Sequence, residues 1–375
     1  MQRLKGRKAK FAIVVTVLVL IVVVLLFSGI DFNTARNPLT DAIESGESTL
    51  TAIDTNHQSM KDFTKDQQDE AKSLLKTAQV SQGQANKSLT YARRTSDEFV
   101  LSMAQNYALL LDSSEVMNQG VDHLLTVNDE LQKALDDYWQ GSYQAASDNA
   151  SMCLQTLESL TGQFEQNNQT LEEINYRYLA SGKKDQVKYA VAEFQDAMAI
   201  YLQYVQLLRT IKDGTAYLQE ATKTNDLLDK LQHALANNKN QDAQQLLDEL
   251  SKQLEQLKDP RFQSAASLAS KIDPNLLNGP AQDAANDLKN QLKDAQNIQR
   301  FENYLSSVEK FNEASTYLAN GEKDKAQQAA DQGLAILAQG QDGSSGTGDI
   351  QRYSKALEFA LNSLEMQIRG QPDQG

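Results

Sequence analysis

Between Pro38 and Pro260 the chain contains no proline, and glycine is sparse over the same stretch. Inside a helix a proline costs about 3 kcal/mol and a glycine about 1 kcal/mol relative to alanine. A long segment nearly free of both can therefore run as successive helices. Ala, Leu, Gln, Lys, Glu and Asp fill it, the composition of long helices. No alternation of apolar and polar residues long enough for a strand interrupts it. The expected fold class is all-α, a long-helix bundle or an irregular, solenoid-like set of helical hairpins.

The punctuation of this helical chain sets its expected domains. Asn37-Pro38 reads as a helix start, with Asn capping free amides and proline tolerated at the first helical position. The helix that follows carries Ile43, Leu50, Ile53, Met60, Leu74 and Ala78 near heptad positions, but His57, Thr64 and Gln67 dilute the seam. The expectation over 31–90 is a stalk-like helix. A main helical domain, 91–258, opens with Phe99, Met103, Tyr107, Leu110 and Leu111, and a new helix is expected to start at Ser113 or Ser114. The stripe Ala146, Ala150, Cys153, Leu157 makes the lone cysteine a small core residue. From about Asp185, the residues Val187, Val191, Phe194, Met198, Tyr201, Val205 and Leu208 alternate steps of four and three, a heptad seam. Leu202, Tyr204 and Leu207 widen that face, implying more than one packing neighbour. Pro260, Pro274, Pro280 and Asn278-Gly279 mark a joint over 259–282. C-terminal hairpins follow at 283–369: one helix from Pro280 to Leu318, a second near Glu322–Ala338, a Gly/Ser-rich linker at 339–349, and a last helix capped by Asp349. Residues 370–375 are expected to be a disordered tail.

One segment departs from this pattern. Phe11 to Ile30, FAIVVTVLVLIVVVLLFSGI, is a nearly unbroken apolar run. Twenty residues at about 1.5 Å each span about 30 Å, the hydrocarbon thickness of a bilayer. Arg3, Lys5, Arg7, Lys8 and Lys10 precede it, whereas Arg36 is the only Lys or Arg between residues 31 and 60. Basic residues are retained on the cytoplasmic side. The expectation is a cytoplasmic tail (1–10), a single transmembrane anchor (11–30) in contact with the lipid bilayer, and a body outside the cytoplasm. A cleaved signal peptide is the rival, but its apolar core is shorter and ends in a small-x-small site. Cleavage after Gly29 would place Phe27 where a small side chain is required. The nearest second apolar stretch, Ala197 to Ile211, is broken by Gln203, Gln206 and Arg209.

Beyond the run lie all 50 acidic groups and 31 of the 36 basic ones, a formal balance of −19. Such a surface repels nucleic acid. One cysteine forms no intrachain disulfide, so the body relies on packing. Sequons at Asn86, Asn149 and Asn168 are no more frequent than chance, and their use is left open. His57, His123 and His233 have no carboxylate or second histidine at metal-ligand spacing, and no H-E-x-x-H, C-x-x-C, EF-hand, G-x-S-x-G or phosphate-loop pattern occurs. Adjacent acids such as Asp136-Asp137 point about 100° apart on a helix and read as solvated faces. No catalytic residue, metal or cofactor is assigned.

Three corners echo one another: Tyr178-Leu-Ala-Ser-Gly182-Lys-Lys-Asp-Gln-Val187, Tyr317-Leu-Ala-Asn-Gly321-Glu-Lys-Asp-Lys-Ala326, and Ala234-Leu-Ala-Asn-Asn238 through Ala243. A looser fourth is Trp139-Gln-Gly141-Ser-Tyr143-Gln-Ala-Ala146. Gly or Asn at the fifth position supplies a left-handed cap, and the small residue five places on lets the next helix pack closely. The corners resemble the turn and second-helix start of tetratricopeptide-type hairpins. That resemblance implies hairpin geometry and protein or peptide binding, while any antiparallel helical hairpin also needs such a corner. The irregular spacing and the missing first-helix signature depart from the tetratricopeptide pattern.

The function expected is that of a non-catalytic, membrane-anchored interaction or scaffold protein with protein partners. The alternatives are a ligand-sensing bundle working with a separate transmembrane partner, or a passive stalk. Tyr138, Trp139, Tyr143, Tyr201 and Tyr204 fall on or beside the apolar stripes, which favours core packing, and are the candidate partner contacts should they be exposed. Oligomeric state is not fixed by the sequence.

Overall fold

In the computed structural model, residues 37–370 are described except 238–239, 294–297 and 340–348. The Phe11–Ile30 run, its basic flank, Asn238, almost all of the 339–349 linker and the tail after Gly370 lie outside the described residues. Within them the regular structure is helical throughout: twelve α-helices, three short 3-10 turns and no strand. None of these helices is long and apolar enough to cross a membrane.

The helices are α1 (Pro38–Thr64), α2 (Gln68–Ala92), α3 (Glu98–Thr126), α4 (Asn128–Trp139), α5 (Tyr143–Thr170), α6 (Lys184–Ala236), α7 (Asn240–Leu257), α8 (Pro260–Lys271), α9 (Gly279–Gln291), α10 (Ile298–Ala319), α11 (Lys323–Gln339) and α12 (Asp349–Gly370). Asx residues set many of the starts. Asn37 accepts from Leu39 N at 3.0 Å with Pro38 next in line, and Asp259 accepts from Arg261 N at 2.9 Å behind Pro260. Asp97 caps α3, and Asn278 caps α9.

Where one stalk-like helix was expected over 31–90, the chain folds back on itself as α1 and α2. One row of buried positions on α1 is Ala42, Ser45, Thr49, Ala52, Asn56, Ser59 and Phe63, and the buried positions of α2 are Ala71, Leu75, Ala78, Gln82, Ala85, Leu89 and Ala92. Both alternate steps of three and four, so this is an antiparallel heptad seam, built largely of small and polar residues. Small side chains bring the backbones close enough for Ser45 Oγ to donate to Ala85 O at 3.0 Å and Ser59 Oγ to Ala71 O at 2.6 Å. The turn between them has no Gly or Pro; Asp66 takes the left-handed conformation, φ 61°, which Asp tolerates better than most residues.

Helix α6 is the spine. Its 53 residues extend about 80 Å. The first half packs against α1, α3 and α5; the second carries α7, α8 and, through Tyr353, α12. Tyr201 Oη donates to Leu157 O of α5 at 2.7 Å, and the Tyr204 ring meets Phe63 of α1 edge-on at 5.4 Å. The widened face of α6 thus serves two neighbours. Helix α3 runs through Ser113 and Ser114 without a break, both hydroxyls being buried. The single helix expected from Pro280 to Leu318 is α9 and α10. Gly141, Gly182 and Gly321 have φ between 72° and 78°, and the residues five places on, Ala146, Val187 and Ala326, are fully buried. Both features follow from the corner pattern.

Candidate functional site

Among the described residues, a histidine and two carboxylates converge where α1 meets α6. His57 lies on the α1 seam Gly46, Leu50, Ile53, His57, Met60. Glu193 lies on the α6 seam Ala190, Glu193, Ala197, Ile200, Tyr204. His57 is 7% exposed and Glu193 4%. Each is a polar residue at a position its helix otherwise fills with apolar side chains or glycine, and burying a charge is costly unless it is paired. They pair: His57 Nδ1 is 3.3 Å from Glu193 Oε1, and Nε2 is 2.6 Å from Asp196 Oδ2. Lys61, one turn along α1, reaches Asp196 at 3.5 Å. The cluster grades from the buried Glu193 to the partly exposed Asp196 and Lys61.

A neutral imidazole has one N–H and one lone pair, so it satisfies only one of two flanking carboxylates. The arrangement fits an imidazolium that donates to both. Burial acts to depress the His57 pKa, while the hydrogen bonds to Glu193 and Asp196 act to raise it; the result lies above the ordinary 6.5. Burial likewise opposes ionisation of Asp196 and is the largest single influence, but the bonds and charges of His57 and Lys61 together outweigh it, and the Asp196 pKa falls below 3.8. With both ring nitrogens engaged, His57 has no lone pair free for a substrate proton. Chemically the cluster is a clamp between α1 and α6. Among the described residues no group of three is arranged to hold a metal ion.

A neutral polar network continues across α1, α2 and α3. Asn56 Nδ2 donates to Ser114 O at 2.9 Å, Asn118 Nδ2 to Asn56 Oδ1 at 3.2 Å, Gln82 Nε2 to Ser114 Oγ at 3.0 Å, and Gln79 Nε2 to Asn118 Oδ1 at 3.2 Å. These groups satisfy one another inside the core, leaving little to present to a ligand. Cys153 is also withdrawn from chemistry: burial pushes its thiol up to about 12.

The five aromatic candidates divide. Tyr138, Tyr201 and Tyr204 are buried, so the condition for partner contact is not met and they take the core-packing role; burial also raises all three phenol pKa values. Tyr138 Oη donates to Asp287 Oδ2 at 2.6 Å and so ties α4 to α9. Trp139 is 50% exposed, stands edge-on to Tyr138 at 5.2 Å, and has the half-buried Tyr143 on the other side of Tyr138. An open groove lies between α7 and α10, lined by Gln244, Glu309, Asn312, Glu313, Thr316 and Tyr317, with a volume near 470 Å³.

The sequence reading missed the clamp because Glu193 and Asp196 stand 136 and 139 residues from His57. A signal was present: an acid and a histidine, each on an apolar heptad position, need a buried partner. Comparison with known proteins finds no matching family model, no matching curated protein and no matching solved structure.

Proposed function

We propose that this protein is a non-catalytic interaction or scaffold protein, tethered by the 11–30 run with its N-terminus in the cytoplasm and its helical body outside. The observation that carries this reading is the internal engagement of His57, the core amides and the single thiol. His57 is held between two carboxylates, the Asn and Gln side chains of the core bond one another, and the thiol is buried and protonated. What remains for a partner is surface: Trp139 beside its corner and the polar α7–α10 groove. The groove carries Glu309 and Glu313, the latter paired with Lys310 at 2.7 Å, and Glu309 suits a partner segment bearing Lys or Arg.

The test places a photo-crosslinking amino acid at Thr316 in the groove and at Trp139, with Val80 on the outer face of α2 as the comparison. In intact cells the first two positions are expected to yield discrete adducts that Val80 does not. Equal, diffuse labelling at all three would count against a dedicated partner surface. Membrane-impermeant labelling of a tag at each end tests the topology; a shielded C-terminus would overturn it.

A further inference from the structure

We propose that one end of the helical body, bearing Leu39, Arg93, Arg94, Phe99, Arg177 and Tyr178, rests on the phospholipid headgroup layer. The inference deepens the anchored reading above and depends on it.

Helix register brings these residues together. Ser45 meets Ala85, and Gly46 packs on the Tyr107 ring. The start of α1, the end of α2 and the start of α3 therefore share one end of the bundle. The Phe99 and Tyr178 rings lie 6.0 Å apart, which adds the α5–α6 connection to the same end. Residues 31–37 separate the apolar run from Pro38. Even fully extended, that link holds Pro38 within about 30 Å of the end of the run. This end of the bundle is thus the one tethered nearest the bilayer.

Its chemistry combines exposed apolar side chains with a group of arginines. Leu39 is 38% and Phe99 41% exposed, although each is a large apolar side chain. Arg93, Arg94 and Arg177 are exposed beside them. They are three of the eight arginines in residues 37–370 of a strongly acidic body. Among the described residues no carboxylate forms an ion pair with these three. Arg94 instead lies over the Tyr91 ring at 4.7 Å. Of the neighbouring acids, Asp97 directs its carboxylate into the first turn of α3; Glu98 is exposed there, as are Glu172 and Glu173 ahead of Arg177, and the charge of Arg93 is also felt by Asp112. Guanidinium groups match phosphate geometry, and amphipathic aromatics favour the membrane–water interface.

The experiment uses the full chain in phosphatidylcholine vesicles, with and without phosphatidylglycerol. A fluorophore is attached at Phe99→Cys or, at the far C-terminal helix, Phe359→Cys; the buried Cys153 does not compete. Shallow spin-labelled lipid is expected to quench the Phe99 label far more than the Phe359 label, and more strongly when phosphatidylglycerol is present. Replacing the arginines by glutamine should weaken the surface-bound state about fivefold for each residue removed. Resistance to alkaline extraction is scored in parallel. Equal quenching at both labels in a chain that resists extraction overturns the headgroup contact and leaves the anchor standing. Quenching that ignores both phosphatidylglycerol and the arginines overturns the phosphate part of the proposal. Extraction of the chain overturns the anchor, and the headgroup contact with it.

Discussion

Gly46 is the sharpest test of how α1 sits in the bundle. A Cβ built there falls 2.5 Å from Tyr107 Cε2 and 2.6 Å from Cε1, and closer still to Cζ. Carbon atoms in favourable contact are about 3.5–4.0 Å apart, so the added methyl overlaps the ring by about 1 Å. Neither partner can easily yield. Tyr107 is fully buried, and α1 is held from its other side by the Ser45 and Ser59 contacts to α2. Overpacking of this kind costs about 1–3 kcal/mol, and the rigid surroundings put it near the upper limit. Replacing glycine by alanine inside a helix returns about 1 kcal/mol. Gly46→Ala should therefore destabilise the chain by about 2 kcal/mol. Gly83 and Gly162 are also helical, but a Cβ at either meets nothing within 4 Å. Gly83→Ala and Gly162→Ala should stabilise by about 1 kcal/mol. Urea denaturation of the full chain in detergent, followed by circular dichroism, reads the difference. Tyr107→Leu combined with Gly46→Ala should cost less than the sum of the two single changes. If Gly46→Ala raised the midpoint as Gly83→Ala does, the placement of α1 against α3 would be wrong.

The His57 clamp gives a signed pH dependence. A raised histidine pKa contributes stability fully below the unfolded value near 6.5 and loses it as pH rises through the folded value. The lowered Asp196 pKa contributes above 3.8 and loses its part as pH falls through the folded value. The groups facing the ring are Lys61 on its own helix and Glu193 and Asp196 on α6. The gap in denaturation midpoint between the native chain and His57→Gln should be widest between about pH 4 and 6.5 and close at higher pH; a gap that widens with rising pH would contradict the geometry. An NMR titration of the imidazole should have its midpoint above 6.5. In the neutral network, Asn56→Ala strips partners from Ser114 O and Asn118 Nδ2 and should cost about 2–4 kcal/mol, whereas Asn86→Ala, on the exposed face of α2, should stay within about 0.5 kcal/mol. Equal losses from the two would show that the network contributes nothing.

How much of this could be read beforehand depended on the size of the side chains at the seams. Along α6 the heptad is written in Val, Phe, Met, Tyr and Leu, and its periodicity is visible at once. The α1–α2 seam has the same steps of three and four, but in Ala, Ser, Thr, Asn and Gln, which apolar periodicity does not register. Ala71, Ala78, Ala85 and Ala92 recur every seventh residue, and that spacing is the trace the hairpin leaves in the sequence. Turns followed the same division. Gly141, Gly182 and Gly321 announced their left-handed caps, whereas Asp66 performs that role without a residue type that marks it. For the aromatics, the widened periodicity implied a second packed neighbour for Tyr204 but could not say which helix supplies it. Long-range pairing settled that, as it did for His57 and its two carboxylates.

The consequence falls on α1, the first described helix after the apolar run. It is tied sideways to three helices by three different kinds of contact. Ser45 and Ser59 bond the α2 backbone, Asn56 joins the amide network of α3, and His57 is clamped by α6. A seam of small residues buries little apolar area, so its stability depends on register more than on hydrophobic surface. Sliding α1 by one turn would break the hydroxyl contacts, unpair Asn56 and withdraw His57 from Glu193 together. Such a helix transmits displacement to the body instead of absorbing it. If the run is the tether proposed above, any pull on it reaches the body through a helix fixed in register.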